Sequence, residues 1–273
     1  MSDGFGSDEA FRALATRIGL RGLDCSAYKP RCLRRRIAVR MRARGMHTYE
    51  EYHALLERDP GEYQRLLETL TINVTRFFRN PEAWSGLATR LLPHLWQRRQ
   101  GRVRAWSAGC ASGEEAYTLA IALAEAARLA DQEDWLDRAR IDATDIDRRS
   151  IERARRGVYD EDALVEMPAA LRARYFPGTP PYRIPVSIGR LVRVREHDLT
   201  REPPPQPPYD VIVCRNTVMY FDRAMQERLF AAFADALAPG GLLVLGKVET
   251  LLGPARTRLA LLDPRERFYC RES

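Results

Sequence analysis

Val103-Arg104-Ala105-Trp106-Ser107-Ala108-Gly109-Cys110-Ala111-Ser112-Gly113-Glu114-Glu115 decides the fold. Residues 103–107 form a short strand-sized run, a Gly-rich turn follows, and the Ala-rich stretch Glu114–Ala130 reads as a helix. Glycines allow a tight turn and close approach to a ligand, and a helix N-terminus presents free N–H groups. The G-x-x-x-G spacing is not the dinucleotide pattern G-x-G-x-x-G. It is not a phosphate loop either, because no Gly-Lys-Ser/Thr follows. Glu114 and Glu115 would repel a pyrophosphate and suit a cationic ligand, although Glu114 alone serves equally to complement the helix dipole.

Downstream, Arg140–Ala143 reads as a second strand and Arg148–Arg156 as a second helix. Tyr209–Cys214 is a nearly all-apolar strand, Asp222–Leu237 a long helix, Pro239-Gly240-Gly241 a turn and Leu242–Leu245 another strand. Strands alternating with helices predict an α/β fold with a doubly wound, largely parallel sheet. Residues 177–208 hold nine of the 17 prolines and one strand candidate, Leu191–Val194, which predicts a surface insertion.

Upstream, residues 8–70 read as helices. Phe11, Leu14, Ala15 and Ile18 share a face; Pro30 opens a segment with Leu33, Ile37 and Met41; Thr48-Tyr49-Glu50-Glu51 resembles a capping box; Asp59-Pro60 opens a fourth helix. The helical pattern fails at Thr71-Ile72-Asn73-Val74-Thr75. Arg76-Phe77-Phe78-Arg79-Asn80-Pro81 follows, and then a helix through Leu95. The expected boundaries are 1–72 for a small all-helical domain, 73–100 for a linker and the start of the catalytic domain, and 101–273 for the remainder.

The 273 residues suit one large domain or two unequal ones, and 45% hydrophobic with 30% charged residues is a globular balance. The net charge of +7 rests on 42 arginines and only two lysines, Lys29 and Lys247, which favours acidic partners and raises a nucleic-acid hypothesis. No apolar run approaches the ~20 residues that span a bilayer, so no membrane insertion is expected. The first twenty residues lack an apolar signal core. Five scattered cysteines read as reduced thiols of a cytoplasmic protein, and four isolated histidines give no metal-binding pair.

The second strand ends in Asp142-Ala143-Thr144-Asp145-Ile146-Asp147. Ligands of open α/β sheets sit at strand carboxyl ends, so Asp145 is assigned to ribose hydroxyls and Asp147 to structure, with helix capping open to either. An acid-rimmed turn, a ribose-binding acid and no phosphate grip fit a nucleoside with a cationic tail. S-adenosylmethionine is the first choice and NAD the runner-up. The apolar strand ends in Cys214-Arg215-Asn216, and Tyr220 follows on a loop before a helix for which Asp222 is a good N-cap. Gln206-Pro207-Pro208-Tyr209 resembles the (Asp/Asn)-Pro-Pro-Tyr signature of amino-group methyltransferases, but it precedes the strand and lacks the Asn or Asp, so it reads as linker.

Asn73-Val74-Thr75-Arg76-Phe77-Phe78-Arg79, the Ser107–Glu115 turn, Ala143 to Asp147 and Cys214 to Asp222 together resemble the chemotaxis receptor glutamate methyltransferases. The resemblance runs from about residue 9 to 270. It implies a Rossmann-like S-adenosylmethionine methyltransferase fold with one antiparallel strand near the C-terminal end, preceded by the helical domain. It also implies methyl transfer to glutamates on cytoplasmic chemoreceptor helices, giving methyl esters and S-adenosylhomocysteine for sensory adaptation. Carried over by position, Asn73, Thr75 and Arg79 fall in an interdomain crevice with Arg79 beside the reacting methyl. Gly109 belongs to the cofactor turn, Glu115 lies near the methionine amino group, and Asp145 takes the ribose. Arg215 and Asn216 line the cofactor pocket, and Tyr220 faces the substrate. Asp198-Leu199 stands where the family has Asn-Leu on the adenine side. Gly246-Lys247-Val248-Glu249 replaces the family's Gly-His-Ser-Glu and is assigned no role.

Between Lys29 and Arg44 lie eight cations and no acid. Arg36, Arg40 and Arg44 recur at i, i+4, i+8 and, with Arg34 and Arg35, form the expected docking face for acidic receptor helices; the bland alternative is a solvated helix face. Some family members grip a receptor's C-terminal tether with a β-subdomain. The corresponding stretch here, about 177–194, is short and Pro-rich, so the tether is expected not to be used. No base-binding motif follows Cys214, so no nucleic-acid partner is expected. The alternatives are methylation of a nucleic acid or of a non-chemotaxis signalling protein, and a catalytically silent cofactor-binding module.

Overall fold

A computed structural model describes residues 4–71 and 75–272. The chain divides into two units, one made of Met1–Asn73 and Met219–Gln226, the other of Val74–Val218 and Glu227–Ser273.

The first unit is built on four helices, α1 (Asp8–Leu20), α2 (Pro30–Ala43), α3 (Tyr49–Arg58) and α4 (Pro60–Leu70). Each start has a local cause. Ser7 caps α1, Pro30 sits in the first turn of α2, Thr48 and Glu51 close a reciprocal capping box on α3, and Asp59 accepts from Glu62 N–H at 3.0 Å on α4. Phe11, Leu14, Ile18, Leu33, Ile37, Met41, Tyr52 and Leu66 fill the interior. The downstream segment enters this unit as backbone: Lys29 N–H donates to Tyr220 O at 3.0 Å, Asp222 N–H donates to Ala27 O at 2.8 Å, and Tyr28 bridges Phe221. Asp222 then caps the next helix, accepting from Met225 N–H at 2.7 Å.

The second unit continues with α5 (Pro81–Gly86), α6 (Leu92–Arg99), β1 (Arg104–Ala108), α7 (Glu114–Leu129), β2 (Arg140–Asp145), α8 (Arg148–Arg156), β3 (Val158–Tyr159), α9 (Ala169–Tyr175), β4 (Tyr182–Arg183), α10 (Val186–Gly189), β5 (Val192–Glu196) and β6 (Tyr209–Cys214). Helix α11 (Arg223–Ala236), β7 (Leu237–Leu245), β8 (Leu259–Asp263) and β9 (Phe268–Arg271) complete the chain. Seven strands form one sheet in the order β5-β2-β1-β6-β7-β9-β8, parallel except for β9, which runs against both neighbours. β1 is central, with β2 and β5 on one side and β6 and β7 on the other, so the strand order reverses between β1 and β6. The carboxyl ends there are where an open α/β sheet holds its ligand. All six residues of β6 are buried, as a nearly all-apolar central strand requires, and its one acid, Asp210, pairs with Arg99 at 2.6 Å. Helix α7 is buried on nearly every side, and its alanines let it lie close to its neighbours.

The Pro-rich stretch is more than a surface insertion: it supplies β5, an edge strand of the main sheet. Between β3 and β4 there is only a two-residue ladder. β7 begins at Leu237, earlier than the expected Leu242, because the chain pairs with Tyr209, bulges through Pro239-Gly240 and pairs again from Leu242. Among the described residues no helix is long and apolar enough to cross a membrane.

Candidate active site

The turn after β1 is held from the next strand. Gly109 and Cys110 N–H both donate to Thr144 O, at 2.8 and 2.9 Å. Ala111, at φ 48°, donates its N–H to Asp145 Oδ2 at 2.9 Å, while Asp147 N–H donates to Asp145 Oδ1 at 3.0 Å. Asp145 therefore braces the turn through both oxygens, and the four acceptor sites of a carboxylate leave room for a ligand hydroxyl. Burial raises its pKa above the usual range. Asp147 caps α8, accepting from Arg149 N–H and Ser150 Oγ. Gly109 sits at φ 84°, where a Cβ would fall 2.5 Å from Thr217 Oγ1, so only glycine fits beneath the loop after β6.

Glu114 and Glu115 begin α7 but differ in surroundings. Both oxygens of Glu114 accept from Ser112 Oγ, and burial pushes the carboxyl up to about 7. Glu115 Oε1 accepts from Ser107 Oγ at 2.8 Å, and among the described residues its Oε2 accepts no hydrogen bond. Burial pushes Glu115 up to about 7 against the pull of Arg215 and Arg79, and Glu249 pushes the same way. A half-buried carboxylate with a spare oxygen beside a close-approach glycine fits the ammonium group of S-adenosylmethionine.

Arg79 rises from a loop fixed at every backbone step. Phe78 and Asn80, on either side of it, both have positive φ, 55° and 60°. Such conformations persist in non-glycine residues only when the surroundings hold them. Phe78 N–H donates to Thr118 Oγ1 at 3.0 Å, and Asn80 N–H donates to Glu166 Oε2 at 2.9 Å. Arg215 Nη1 donates to Arg79 O at 2.9 Å, and its Nη2 donates to Asn80 Oδ1 at 2.8 Å. Arg215 thus lies buried against the Arg79 loop as a clamp, and burial lowers its pKa.

Arg79, Glu115, Asp145, Gly109, Arg215 and Asn216 come together around the carboxyl ends of β1, β2 and β6. Thr75 is half-buried upstream of this loop, and Asn73 lies outside the described residues. Leu199 is half-buried. Asp198 turns its Oδ1 to Thr200, accepting from the N–H at 2.8 Å and the hydroxyl at 2.6 Å, so that oxygen closes its own turn. In the other unit, Tyr220 is half-buried, and its hydroxyl makes no hydrogen bond among the described residues.

The expected docking face needs correction. Arg36 is 5% exposed, lying over the Tyr220 ring at 4.2 Å. Arg40 makes a two-pronged pair with fully buried Glu62, at 2.9 and 2.7 Å, and Arg44 reaches Asp59 and Glu62. Arg34 pairs with Asp8 at 2.7 Å and covers the Phe11 ring. Arg36 and Arg40 look inward, Arg40 toward the acid that α4 places there, while Arg44 at the end of the helix stays exposed beside Asp59 and Glu62. The exposed stripe of α2 is Arg31, Arg35, Val39 and Arg42.

Thr118, Glu166 and Glu249 escaped sequence reasoning. Thr118 is hidden in an apolar helix, Glu166 lies in an irregular stretch, and Glu249 sits in a tetrapeptide that departs from the family pattern.

Residues 73–264 match the family model of the CheR methyltransferase S-adenosylmethionine-binding domain, and residues 10–71 match that of the CheR all-alpha domain. The chain belongs to the CheR methyltransferase family. The chemotaxis protein methyltransferase of Listeria innocua is 32% identical over 243 residues, covering 89% of this chain and 90% of the relative. Those of Salmonella typhimurium and Escherichia coli are each 33% identical, covering 89% of this chain and 84% and 85% of the relatives. S-adenosylmethionine is accordingly the cofactor of this CheR-family chain.

Proposed function

We propose that this CheR-family protein methylates glutamate side chains on the cytoplasmic helices of chemoreceptors, giving methyl esters and S-adenosylhomocysteine for sensory adaptation in the cytoplasm. Chemotaxis methyltransferase relatives along most of the chain support the setting. The observation that carries the chemistry is Arg79, held by the Arg215 clamp in the electrostatic neighbourhood of Glu115.

Bound S-adenosylmethionine supplies a sulfonium methyl group open to attack by a carboxylate oxygen. Glutamate, with a pKa near 4.3, is already ionised at neutral pH, so the chain must position and desolvate it rather than deprotonate it. Arg79 receives the incoming carboxylate. A grip that is too strong would also stabilise the ground state, which makes a single well-aimed contact preferable. Tyr220 orients the acceptor with its unengaged hydroxyl. Glu115 takes the cofactor ammonium, Asp145 the ribose, and Thr75, Asp198, Leu199 and Asn216 complete the pocket. The exposed Arg31, Arg35 and Arg42 stripe of α2 steers acidic receptor helices. The two-residue β3–β4 ladder supports a protein that leaves the receptor's C-terminal tether unused.

The deciding experiment incubates the full chain with radiolabelled S-adenosylmethionine and purified receptor cytoplasmic domains. The expected label is released by mild base, as a methyl ester is. Base-stable label, or label only on added RNA, overturns the proposal.

A further inference from the structure

The tetrapeptide Gly246-Lys247-Val248-Glu249 follows β7 directly, and its acid folds back over the strand ends. Glu249 is 3% exposed, so its carboxylate sits where an ion needs strong partners. Its Oε2 accepts from Gly246 N–H at 2.7 Å and from Asn216 N–H at 2.9 Å. The two donors lie just past Cys214 and Leu245, which are register partners on the adjacent parallel strands β6 and β7. Glu249 N–H in turn donates to Gly246 O at 2.8 Å, closing a tight turn.

Two features show that this contact is built. Asn216 has φ 59°, a left-handed conformation that an asparagine tolerates but must be held in. Its N–H points to Glu249, and this is the bond that fixes the turn out of β6. At Gly246, a Cβ would stand 2.7 Å from Glu249 Oε2 and 3.0 Å from Asn216 N. Only glycine lets the carboxylate reach both donors.

The geometry assigns Glu249 as a positioning residue of the cofactor site, fixing the backbone of Asn216 through a shared carboxylate oxygen between β6 and β7. Glu249 needs no contact with the cofactor for this. It sets where the Asn216 side chain leaves the sheet and, one residue earlier, where Arg215 begins. The assignment rests on S-adenosylmethionine binding alone and stands whatever the methyl acceptor proves to be.

The test measures the Kd of S-adenosylhomocysteine for the full chain by titration calorimetry, with the Tm of each ligand-free variant recorded alongside. Glu249→Ala removes the acceptor and is expected to raise Kd about tenfold or more, the size of a lost charge-assisted hydrogen bond. Glu249→Gln keeps a carbonyl acceptor and is expected to recover most of that loss. Gly246→Ala leaves the carboxylate in place but displaces it from both donors, and it should weaken binding as Glu249→Ala does. This variant carries the test if Glu249→Ala fails to fold. Wild-type affinity in Gly246→Ala, or a Glu249→Ala that lowers Tm with Kd within about twofold of wild type, overturns the assignment. So does a Glu249→Gln as weak as the alanine variant, because the charge and not the acceptor would then be at work.

Discussion

The guanidinium of Arg36 lies 4.2 Å from the centre of the Tyr220 ring, although 184 residues separate them in the chain. Arg36 is buried, and its Nε and Nη2 find no hydrogen-bond partner among the described residues. The ring face supplies attraction that water no longer gives, worth about 2 kcal/mol for a desolvated pair. Burial lowers the arginine's pKa, and the tyrosine opposes this.

The ring and the hydroxyl of Tyr220 should therefore separate by mutation. Tyr220→Phe keeps the ring over Arg36 and should leave Tm unchanged while methylation slows. Tyr220→Leu should lose both, with a stability cost of about 1–2 kcal/mol. Equal Tm values for the two variants would remove the ring's structural role.

Arg79 should act in transfer, and its loop should decide how well. Arg79→Ala is expected to cut methylation more than about tenfold at saturating cofactor. Thr118→Val, nearly isosteric, strands the Phe78 N–H and should cost about 1–3 kcal/mol of stability. Its turnover should fall while S-adenosylhomocysteine affinity changes little. A Thr118→Val enzyme with normal turnover would show that the loop needs no such brace.

Cofactor affinity should rise with pH across neutrality. Glu115 binds an ammonium only as a carboxylate, and its pKa is up at about 7. Below that value each pH unit should weaken binding by up to tenfold, and binding should release a proton, readable by calorimetry in buffers of different ionisation heat. The ligand-free chain follows the opposite sign. A carboxyl raised from about 4.3 to about 7 on folding contributes stability at low pH that is lost as pH climbs through that window. Glu114 titrates in the same range, so Glu115→Gln must flatten the binding curve and Glu114→Gln must not.

Charge reversal on α2 should divide by face. Arg35→Glu with Arg42→Glu alters exposed positions and should raise the KM for receptor with Tm and cofactor affinity unchanged. Arg40→Glu instead faces buried Glu62 and should cost about 3–5 kcal/mol, as breaking a buried pair does. An unchanged receptor KM in the first variant removes this surface from docking.

Local chemistry made much of the fold legible. The Thr48 and Glu51 capping box, Pro30, the Asp59 and Asp222 caps and the Gly109 turn act within a few residues, and each appears where the sequence placed it. Long-range partners were not legible. The period of Arg36, Arg40 and Arg44 showed that they share a face, but which way that face looks depends on Glu62, an acid on another helix. Pro239-Gly240 reads as a turn, yet β7 passes through it as a bulge because Tyr209 offers ladder partners. Among site residues, the carboxylates at strand ends were readable from their positions. The residues that brace the Arg79 loop and the Asn216 turn, Thr118, Glu166 and Glu249, accept from backbone N–H groups and leave no mark on composition or spacing.

The return of Met219–Gln226 to the helical unit has a consequence for synthesis. The first four helices emerge from the ribosome early, but the segment that gives Arg36 its ring, and Lys29 its backbone acceptor, is made only after β6. An N-terminal domain would ordinarily fold as it emerges. Here the nascent helical unit waits through about 150 further residues without the ring that lies over Arg36. Its final stability arrives late, together with the loop that carries Tyr220.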